Sequence, residues 1–386
     1  MRQKIYFTPI LLVLSLFFFL HICYGYSSSS IFIRVCVTKD KDALDLSVQG
    51  PYRIESVNKD MVLDRGRYLK GEHIQPTISG IELGEKEFKI YGVRIIPEKG
   101  SAIIIDGSSF RGMVDIIRTK DLKLMVINHL EIEEYLYGVL YHETPHYWPI
   151  ETLKAQAVVA RTFALYRIKT MKDRDYDVTS DIYSQMYGGK ESERRRTTKA
   201  VNSTKGKVLT YKGEIFPTYY HSMCAGHTAD AKDIFEVDLR PLRGVKCPFC
   251  QGAPHMTWKA MFSYKQMEER LNKYGIAIRG MNYIHEGERD KSGRLSSVKL
   301  SGQSGAKEIK GYKFRLALGP NIIKSTNFTI QITPKGIIFR GKGWGHGVGM
   351  CQWGAFGMGK RWSDYKSILG FYYPGSEITD IKELYR

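Results

Sequence analysis

One glutamate stands at the end of an apolar helical stripe, where a carboxyl group could act as a general acid. Before it, apolar side chains recur at the i, i+3, i+4, i+7 and i+8 spacing of an amphipathic helix, at Ile132, Tyr135, Leu136, Val139 and Leu140. Glu143 continues this stripe, so we expect its carboxyl group on the buried side. Burial and the negative end of the helix dipole would both raise its pKa. The alternative is a solvated glutamate without a chemical role.

The elements that must position this carboxyl group are predicted as strands followed by two helices. Residues 31–112 alternate apolar and polar side chains with frequent glycine, and residues 122–128 form one more strand-like run. One helix should end near Glu143, because Thr144 precedes a proline. A second helix should begin at Pro149. The pattern predicts an α+β fold, rich in strands, in which short helices pack against antiparallel sheets.

Three further segments complete the predicted framework. Residues 207–211 and 214–220 flank Lys212-Gly213 and predict a hairpin whose second arm leads to His221 and Ser222. Residues 260–274 predict a helix, and residues 295–338 predict more strands.

Glycine occupies every second position from Gly341 to Gly349. The segment is not a phosphate loop, because no Gly-Lys-Ser/Thr follows, and His346 stands where a dinucleotide fingerprint needs its third glycine. Alternating glycines would remove the side chains from one face of an extended segment and allow close backbone approach. His346 would then point to the other face together with Trp344 and Val348. The alternative is a tight turn with a packed histidine.

The composition favours an anionic partner outside the cytoplasm. The chain has 386 residues, with 58 Lys+Arg against 40 Asp+Glu and a formal charge of +18. No basic run matches a nucleic-acid motif, so we expect an acidic wall polymer rather than nucleic acid. Arg2 and Lys4 precede an apolar stretch, and residues 1–25 are predicted to be a signal peptide or a membrane anchor, which implies export. No second apolar run is long enough to cross a bilayer.

Four residues in two closely spaced pairs suit a tetrahedral structural zinc ion: Cys224, His227, Cys247 and Cys250. A disulfide between Cys247 and Cys250 is the alternative outside the cytoplasm, and Cys224 could be a buried thiol. A catalytic Cys224–His227 pair is a weaker interpretation. Cys36 and Cys351 stand apart from other cysteines and are interpreted as lone buried thiols.

Several motifs, in one order along residues 120–380, together resemble the sporulation stage II protein D and amidase-enhancer family, whose best-known members remodel bacterial peptidoglycan. The matching motifs are YLYGV (135–139), ETP (143–145), WPIETLKAQA (148–157), ART (160–162), SQMYGG (184–189), YHS (220–222), AGHT (225–228), RLALG (315–319), GHGVGMCQWGA (345–355) and FYYPG (371–375). The alternation described above predicts an N-terminal β-rich region at residues 26–115, and the resemblance implies a catalytic domain at residues 116–386.

The resemblance implies lytic transglycosylase chemistry on glycan strands, with Glu143 as the single catalytic acid and base and no cofactor needed for catalysis. Residues expected to contact sugar are Lys154, Gln156, Arg161, Gln185, Tyr187, Tyr220, His221, Ser222 and His346. For Arg161, an internal salt bridge is the alternative. Some relatives bind zinc at the segment that matches residues 181–185, but this chain has no cysteine or histidine there. The enhancer branch of the family implies the other candidate function, a glycan-binding module that stimulates an N-acetylmuramoyl-L-alanine amidase.

Overall fold

The computed structural model describes residues 30–384, apart from Asp60, Ile182, His255 and Ser304. The signal peptide or anchor predicted for residues 1–25 lies outside these residues. Residues from Ile31 onward form one compact unit. Within the described part of the chain, no helix is both long enough and apolar enough to cross a membrane.

Strands account for most of the regular structure. In chain order they are β1 Phe32–Lys41, β2 Leu44–Gln49, β3 Tyr52–Ser56, β4 Val62–Gly66, β5 Leu69–Pro76, β6 Ile81–Leu83, β7 Lys86–Phe88, β8 Gly92–Pro97, β9 Ala102–Ile105, β10 Ser108–Phe110, β11 Met113–Arg118, β12 Leu124–Glu131, β13 Val178–Thr179, β14 Lys207–Tyr211, β15 Glu214–Ile215, β16 Tyr220–His221, β17 Thr257–Phe262, β18 Tyr283–Glu286, β19 Ser297–Gly302, β20 Gly305–Lys310, β21 Phe328–Thr333, β22 Gly336–Lys342, β23 Met350–Cys351 and β24 Glu377–Asp380.

The helices are short except for the second. They are α1 Ile132–Glu143, α2 Ile150–Thr170, α3 Arg195–Ser203, α4 Ala231–Phe235, α5 Tyr264–Lys273, α6 Gly311–Leu318, α7 Gln352–Gly359 and α8 Tyr365–Tyr372, with 3-10 turns at Lys190–Ser192, Arg240–Leu242 and Ile381–Glu383. The predicted α+β, β-rich class is confirmed.

Two sheets form the N-terminal half of the fold. The larger has the order β13-β1-β12-β11-β8-β3-β4 and the other has the order β10-β9-β2-β5-β6-β7. All of the pairings within them are antiparallel except β1 with β13. Apolar side chains of both sheets, such as Ile33 and Ile103, share one core with α1 and α2. The predicted division between residues 115 and 116 falls inside the larger sheet, because β12 pairs with both β1 and β11.

The two helices predicted around Glu143 are confirmed. α1 ends at Glu143, and Thr144 has extended backbone angles (φ −142°, ψ 136°), as expected for a residue before proline. Pro149 is the N-cap of α2. The small residues Ala157 and Ala160 of α2 are fully buried and share one core with the apolar residues of α1.

The hairpin predicted at residues 207–220 is also found, with a shorter second arm. β14 pairs with β15 across Lys212-Gly213, but regular pairing stops after Ile215. The chain then reaches β16, which pairs in parallel with β23. This contact brings the segment after the hairpin beside the glycine-rich segment.

Two predictions in the C-terminal half were wrong in part. The helix predicted for 260–274 begins only at Tyr264, because residues 257–262 alternate exposed and buried side chains as strand β17. Ser263 and Gln266 then form a capping box that starts α5. The strands predicted across 295–338 are interrupted by α6, whose buried Phe314 and Leu318 stand four residues apart on one helix face.

Candidate active site

A cleft of about 320 Å³ lies beside the C-terminal end of α1, within the size range of small-molecule sites. Its walls come from α1, the loop before Gln185, β16, α6, the glycine-rich segment and the first residue of α7. The lining residues are Glu143, Phe163, Asp181, Tyr183, Ser184, Met186, Tyr219, Tyr220, His221, Ser222, Phe235, Tyr312, Arg315, Leu316, Pro320, Asn321, Trp344, Gly345, His346 and Gln352.

Glu143 is held by three groups from three different segments. The backbone N–H of Met186 donates to its Oε1 at 3.1 Å, and the hydroxyl group of Tyr220 hydrogen-bonds to the carboxyl group. Nε2 of Gln352 donates to the backbone carbonyl oxygen of Glu143 at 3.0 Å. Burial raises its pKa to about 7, although these hydrogen bonds act in the opposite direction. Glu143 is half-buried, so the group remains accessible from the cleft.

A buried chain of hydrogen bonds sets the direction of the Tyr220 hydroxyl group. Tyr135 donates its O–H to Oε1 of Gln185 at 3.1 Å, and Nε2 of Gln185 donates to the hydroxyl oxygen of Tyr220, also at 3.1 Å. Since the Tyr220 oxygen accepts from Gln185, its own proton is available for the Glu143 carboxylate. Tyr220 therefore stabilises the ionised form of Glu143.

Two histidines in the cleft are neutral near pH 7. Burial lowers the pKa of His346 to about 3 and that of His221 well below its usual value, with nearby positive charge contributing. The N–H of Val348 donates to Nδ1 of His346 at 3.1 Å, which places the proton of His346 on Nε2. Nδ1 of His221 lies 3.1 Å from the carbonyl oxygen of Val348, which places its proton on Nδ1. Nε2 of His221 is buried and has no hydrogen-bond partner within the described part of the chain.

Aromatic rings form another part of the cleft wall. Tyr219 stacks on Phe235 with ring centroids 4.4 Å apart, and His346 meets both rings edge to face. Arg315 brings positive charge to this wall, although burial lowers its pKa to about 10. Its guanidinium donates to the carbonyl groups of Lys324 and Pro320. Aromatic faces and neutral polar groups are suited to binding sugar rings.

Of the two alternatives left open by the sequence for the glycine-rich segment, the structure shows the turn: the chain is not an extended strand from Gly343 to Gly349. Gly343, Gly345, Gly347 and Gly349 all have positive φ, between 71° and 104°, so the backbone turns at every second residue. The close approach expected from these glycines is present: a Cβ on Gly345 would lie 2.7 Å from the Cβ of His221. Glycine occupies every second position because the backbone there adopts positive φ, and not because one face of a strand must lack side chains.

The structure brings five of the predicted site residues to the cleft: Glu143, Tyr220, His221, Ser222 and His346. Two others lie directly behind it. Gln185 is fully buried and contacts Tyr220, and Gln156 is fully buried and accepts a hydrogen bond from Gln352 at 3.4 Å. These two can act on a ligand only through the side chains in front of them.

Three residues expected to contact sugar lie elsewhere. Arg161 is fully buried and makes a bidentate ion pair with Glu133, at 2.7 and 2.9 Å, so the internal salt bridge considered from the sequence is what forms. Lys154 pairs with Glu151 at 2.7 Å on the surface of α2. Tyr187 is buried and its hydroxyl group donates to Asn128 at 2.8 Å. None of the three lines the cleft.

Several cleft residues had no role assigned from the sequence, among them Gln352, Arg315 and Tyr219. Gln352 and Arg315 fall inside the motifs quoted above, so their membership in those motifs could have identified them as site residues. Tyr219 has no such signal, because its place in the cleft depends on the turn between β15 and β16.

The predicted zinc ligands are only partly brought together. The Sγ atoms of Cys224, Cys247, Cys250 and Cys351 all lie within 4.8 Å of one another, and each of these cysteines is buried. Cys351, interpreted as a lone thiol, belongs to this cluster. His227 does not: its Nδ1 lies 2.7 Å from the carbonyl oxygen of Thr228. The described cysteines form no disulfide, and Cys36 lies apart in β1.

The fold and the cleft together define an α+β protein with a half-buried carboxyl group in a cleft that has polar and aromatic walls. The Stage II sporulation protein family (SpoIID) matches residues 120–211, and a domain of unknown function (DUF8618) matches residues 250–349. An uncharacterized protein of Brachyspira hyodysenteriae is 36% identical over 358 residues, which cover 92% of this chain and 95% of that protein.

Two proteins of Bacillus subtilis are more distant relatives. The one named amidase enhancer is 27% identical over 89% of this chain, which matches 55% of that protein's length. The one named stage II sporulation protein D is 27% identical over 66% of this chain and 76% of its own length. The chain belongs to the family of stage II sporulation protein D and the amidase enhancers.

Proposed function

We propose that this protein is a lytic transglycosylase that cleaves the bond between N-acetylmuramic acid and N-acetylglucosamine in peptidoglycan strands stripped of their stem peptides. The proposal depends on one observation: burial raises the pKa of the Glu143 carboxyl group to about 7 inside a polar cleft. Near neutral pH such a group exchanges readily between its acid and base forms, which general acid–base catalysis requires.

The reaction uses this one carboxyl group twice. Glu143 donates its proton to the glycosidic oxygen while the bond between that oxygen and C1 of N-acetylmuramic acid breaks. The resulting carboxylate accepts the proton of the C6 hydroxyl group of the same sugar while O6 forms a bond to C1. The product has a 1,6-anhydro bridge, no water is consumed, and Glu143 is protonated again. Tyr220, which donates to the carboxylate, stabilises the intermediate ionised state.

Hydrolysis by the usual two-carboxylate route is less well supported. That route needs a second carboxylate on the other side of the bond. Asp181 also lines the cleft, but its Oδ1 accepts hydrogen bonds from the hydroxyl group of Thr179 and the N–H of Tyr183, each at 2.8 Å. These bonds hold the carboxylate within its own loop, which favours the mechanism with a single acid.

The rest of the cleft suits a glycan. The neutral imidazole of His346 offers its Nε2–H as a donor to hydroxyl or N-acetyl groups, and the neutral ring of His221 lines the cleft beside it. Tyr183, whose side chain is largely exposed, offers a ring at the rim. The positive charge of Arg315 suits the carboxylate of a muramic lactyl group.

The test is digestion of peptide-free glycan strands by the purified protein, with the products identified by mass spectrometry. We expect 1,6-anhydro ends from the wild type and a loss of at least about 100-fold in the Glu143→Gln variant, which cannot transfer the proton. Asp181→Asn is the matched control, because it removes the other carboxylate of the cleft; it should still form anhydro ends. Reducing ends that contain a water oxygen, lost in Asp181→Asn, would instead identify a hydrolase.

The second candidate is a non-catalytic module that binds glycan and stimulates an N-acetylmuramoyl-L-alanine amidase. The similarity to the Bacillus subtilis protein named amidase enhancer favours it, and the formal charge of +18 suits an anionic wall polymer under either proposal. Wild-type protein that releases no anhydro ends but speeds an added amidase would support this candidate. An amidase rate unchanged by the protein would exclude it.

We also propose that the protein works outside the cytoplasm, in the periplasm, in the cell wall or on the outer face of the membrane. The apolar segment within residues 1–25 supports export. Contact with a membrane would then be limited to that segment. Fractionation of cells that produce the full chain tests this proposal, and a cytoplasmic protein with its N-terminus intact would contradict it.

A further inference from the structure

We infer that Cys224, Cys247, Cys250 and Cys351 form a closed tetrathiolate site for a structural zinc ion, and that this ion positions two of the segments around Glu143. The site differs from the set expected from the sequence, because Cys351 replaces His227. The inference is independent of the proposed reaction, since it concerns what the thiols hold.

The spacing of the sulfur atoms suits a central metal ion. Zinc–sulfur bonds of about 2.3 Å in a tetrahedron place the sulfur atoms about 3.8 Å apart. The Sγ atoms of Cys224 and Cys250 are 3.5 Å apart, and all four Sγ atoms lie within 4.8 Å of one another. A disulfide joins sulfur atoms in pairs at about 2.05 Å and gives no reason for four to converge.

The ligand set and its burial indicate zinc in a structural role. Four thiolates in a tetrahedral arrangement select zinc or iron among the common metals. The four cysteines are at most 1% exposed, so no coordination position is open to water or substrate. Cys247 and Cys250 are separated by two residues, the spacing found within zinc knuckles. A closed site of this kind stabilises a fold and does not perform chemistry.

Groups around the cluster are placed to stabilise thiolates. The backbone N–H groups of Cys224 and Gly354 both donate to Sγ of Cys351 at 3.3 Å. The hydroxyl group of Tyr372 lies 3.1 Å from Sγ of Cys247. Hydrogen bonds of this kind orient metal-bound thiolates and spread their negative charge.

A buried arginine supplies an independent argument from charge. Arg294 is fully buried, and its guanidinium donates to the carbonyl groups of Cys224 and His227 and to the hydroxyl group of Ser292. Among the residues that the structure describes, its Nε has no hydrogen-bond partner. Asp290 attracts it at a distance, but no salt bridge joins the two.

A zinc ion with four thiolates has a net charge of −2. That charge would compensate a buried guanidinium, whereas neutral thiols or disulfides would leave it largely unbalanced. The electrostatics therefore favour a metal-loaded cluster over an empty one.

The cluster lies next to two of the three segments that hydrogen-bond to Glu143. Cys351 belongs to β23 and directly precedes Gln352, which hydrogen-bonds to Glu143. Cys224 follows β16, the strand that contains Tyr220. Because β16 and β23 pair with each other, an ion that joins Cys224 to Cys351 fixes both partners of Glu143 at once.

Metal analysis of the full-length protein, purified without reductant or added zinc, tests the inference. We expect about one zinc ion per chain. Cys351→Ser should lower this ratio about tenfold or more, whereas His227→Ala and Cys36→Ser should leave it unchanged. The serine variants form the matched pair, because each removes one buried thiol.

Several results would overturn the inference. These are iron instead of zinc, a metal-free wild type, a disulfide within the cluster found by mass spectrometry, or zinc lost in His227→Ala and kept in Cys351→Ser. If Cys351→Ser does not fold, cobalt substitution of the wild type decides the question. Sulfur-to-cobalt charge-transfer bands with the spectrum of a tetrahedral tetrathiolate would support the site, and a spectrum with a nitrogen ligand would refute it.

Discussion

Replacing Glu143 by glutamine should stabilise the protein at alkaline pH and leave its stability unchanged at acidic pH. The folded protein raises the pKa of this carboxyl group from 4.5 to about 7. Between these pH values the folded state keeps a proton that the unfolded state has lost, so the free energy of unfolding falls as pH rises. The full difference corresponds to about 3 kcal/mol, an upper value because the cleft admits water.

Thermal unfolding measured from pH 4 to pH 8.5 tests this reasoning without any substrate. For a chain of this size, about 3 kcal/mol corresponds to a shift of roughly 4–5 °C in Tm. The Tm of Glu143→Gln should match that of the wild type below pH 4.5 and exceed it by up to this amount above pH 7. Glu85→Gln, an identical change at an exposed turn, is the control and should show no such crossover.

A constant difference in Tm at every pH would refute the argument, because it would mean that glutamine acts through packing and not through the proton. A variant that is less stable above pH 7 would refute it more directly. It would show that the ionised carboxylate is stabilised in the cleft more than burial destabilises it.

Two other predictions concern the neighbours of this carboxyl group. Tyr220→Phe removes a hydrogen bond that lowers the pKa of Glu143, so the alkaline limb of the pH–rate profile should move up by about one pH unit. The control Tyr219→Phe should leave that limb in place. Equal shifts in the two variants would argue against a specific bond from Tyr220. Arg161→Met should destabilise the fold by about 3–5 kcal/mol, since it leaves buried Glu133 unpaired, while glycan affinity of the folded variant stays unchanged. Denaturant unfolding and a glycan pull-down measure the two effects, and a weakened affinity would restore Arg161 as a ligand contact.

The sequence alone determined the local features of this protein. The apolar spacing before Glu143 and the proline after Thr144 were sufficient to place a helix end and to put the carboxyl group on the buried side. Both signals act within a few residues, where helix periodicity and backbone sterics dominate. The strand content of residues 31–112 followed from alternation in the same way.

Local signals failed where two elements meet in a short stretch. The run from 257 to 274 changes from strand to helix at Ser263, and a window that covers both halves hides the change. The glycine alternation from Gly343 to Gly349 predicted close approach. It could not distinguish a bare strand face from repeated positive φ, because both remove side chains at every second position.

Only the tertiary structure decided which distant residues share a site. Cys351 reaches Cys224 because β16 and β23 pair in parallel across more than a hundred residues of chain, and the same pairing puts Gln352 beside Glu143. Arg161 pairs with buried Glu133 and does not line the cleft. Which distant residues come together depends on long-range packing and on how buried charges are compensated. Neither can be read from the spacing of neighbouring residues.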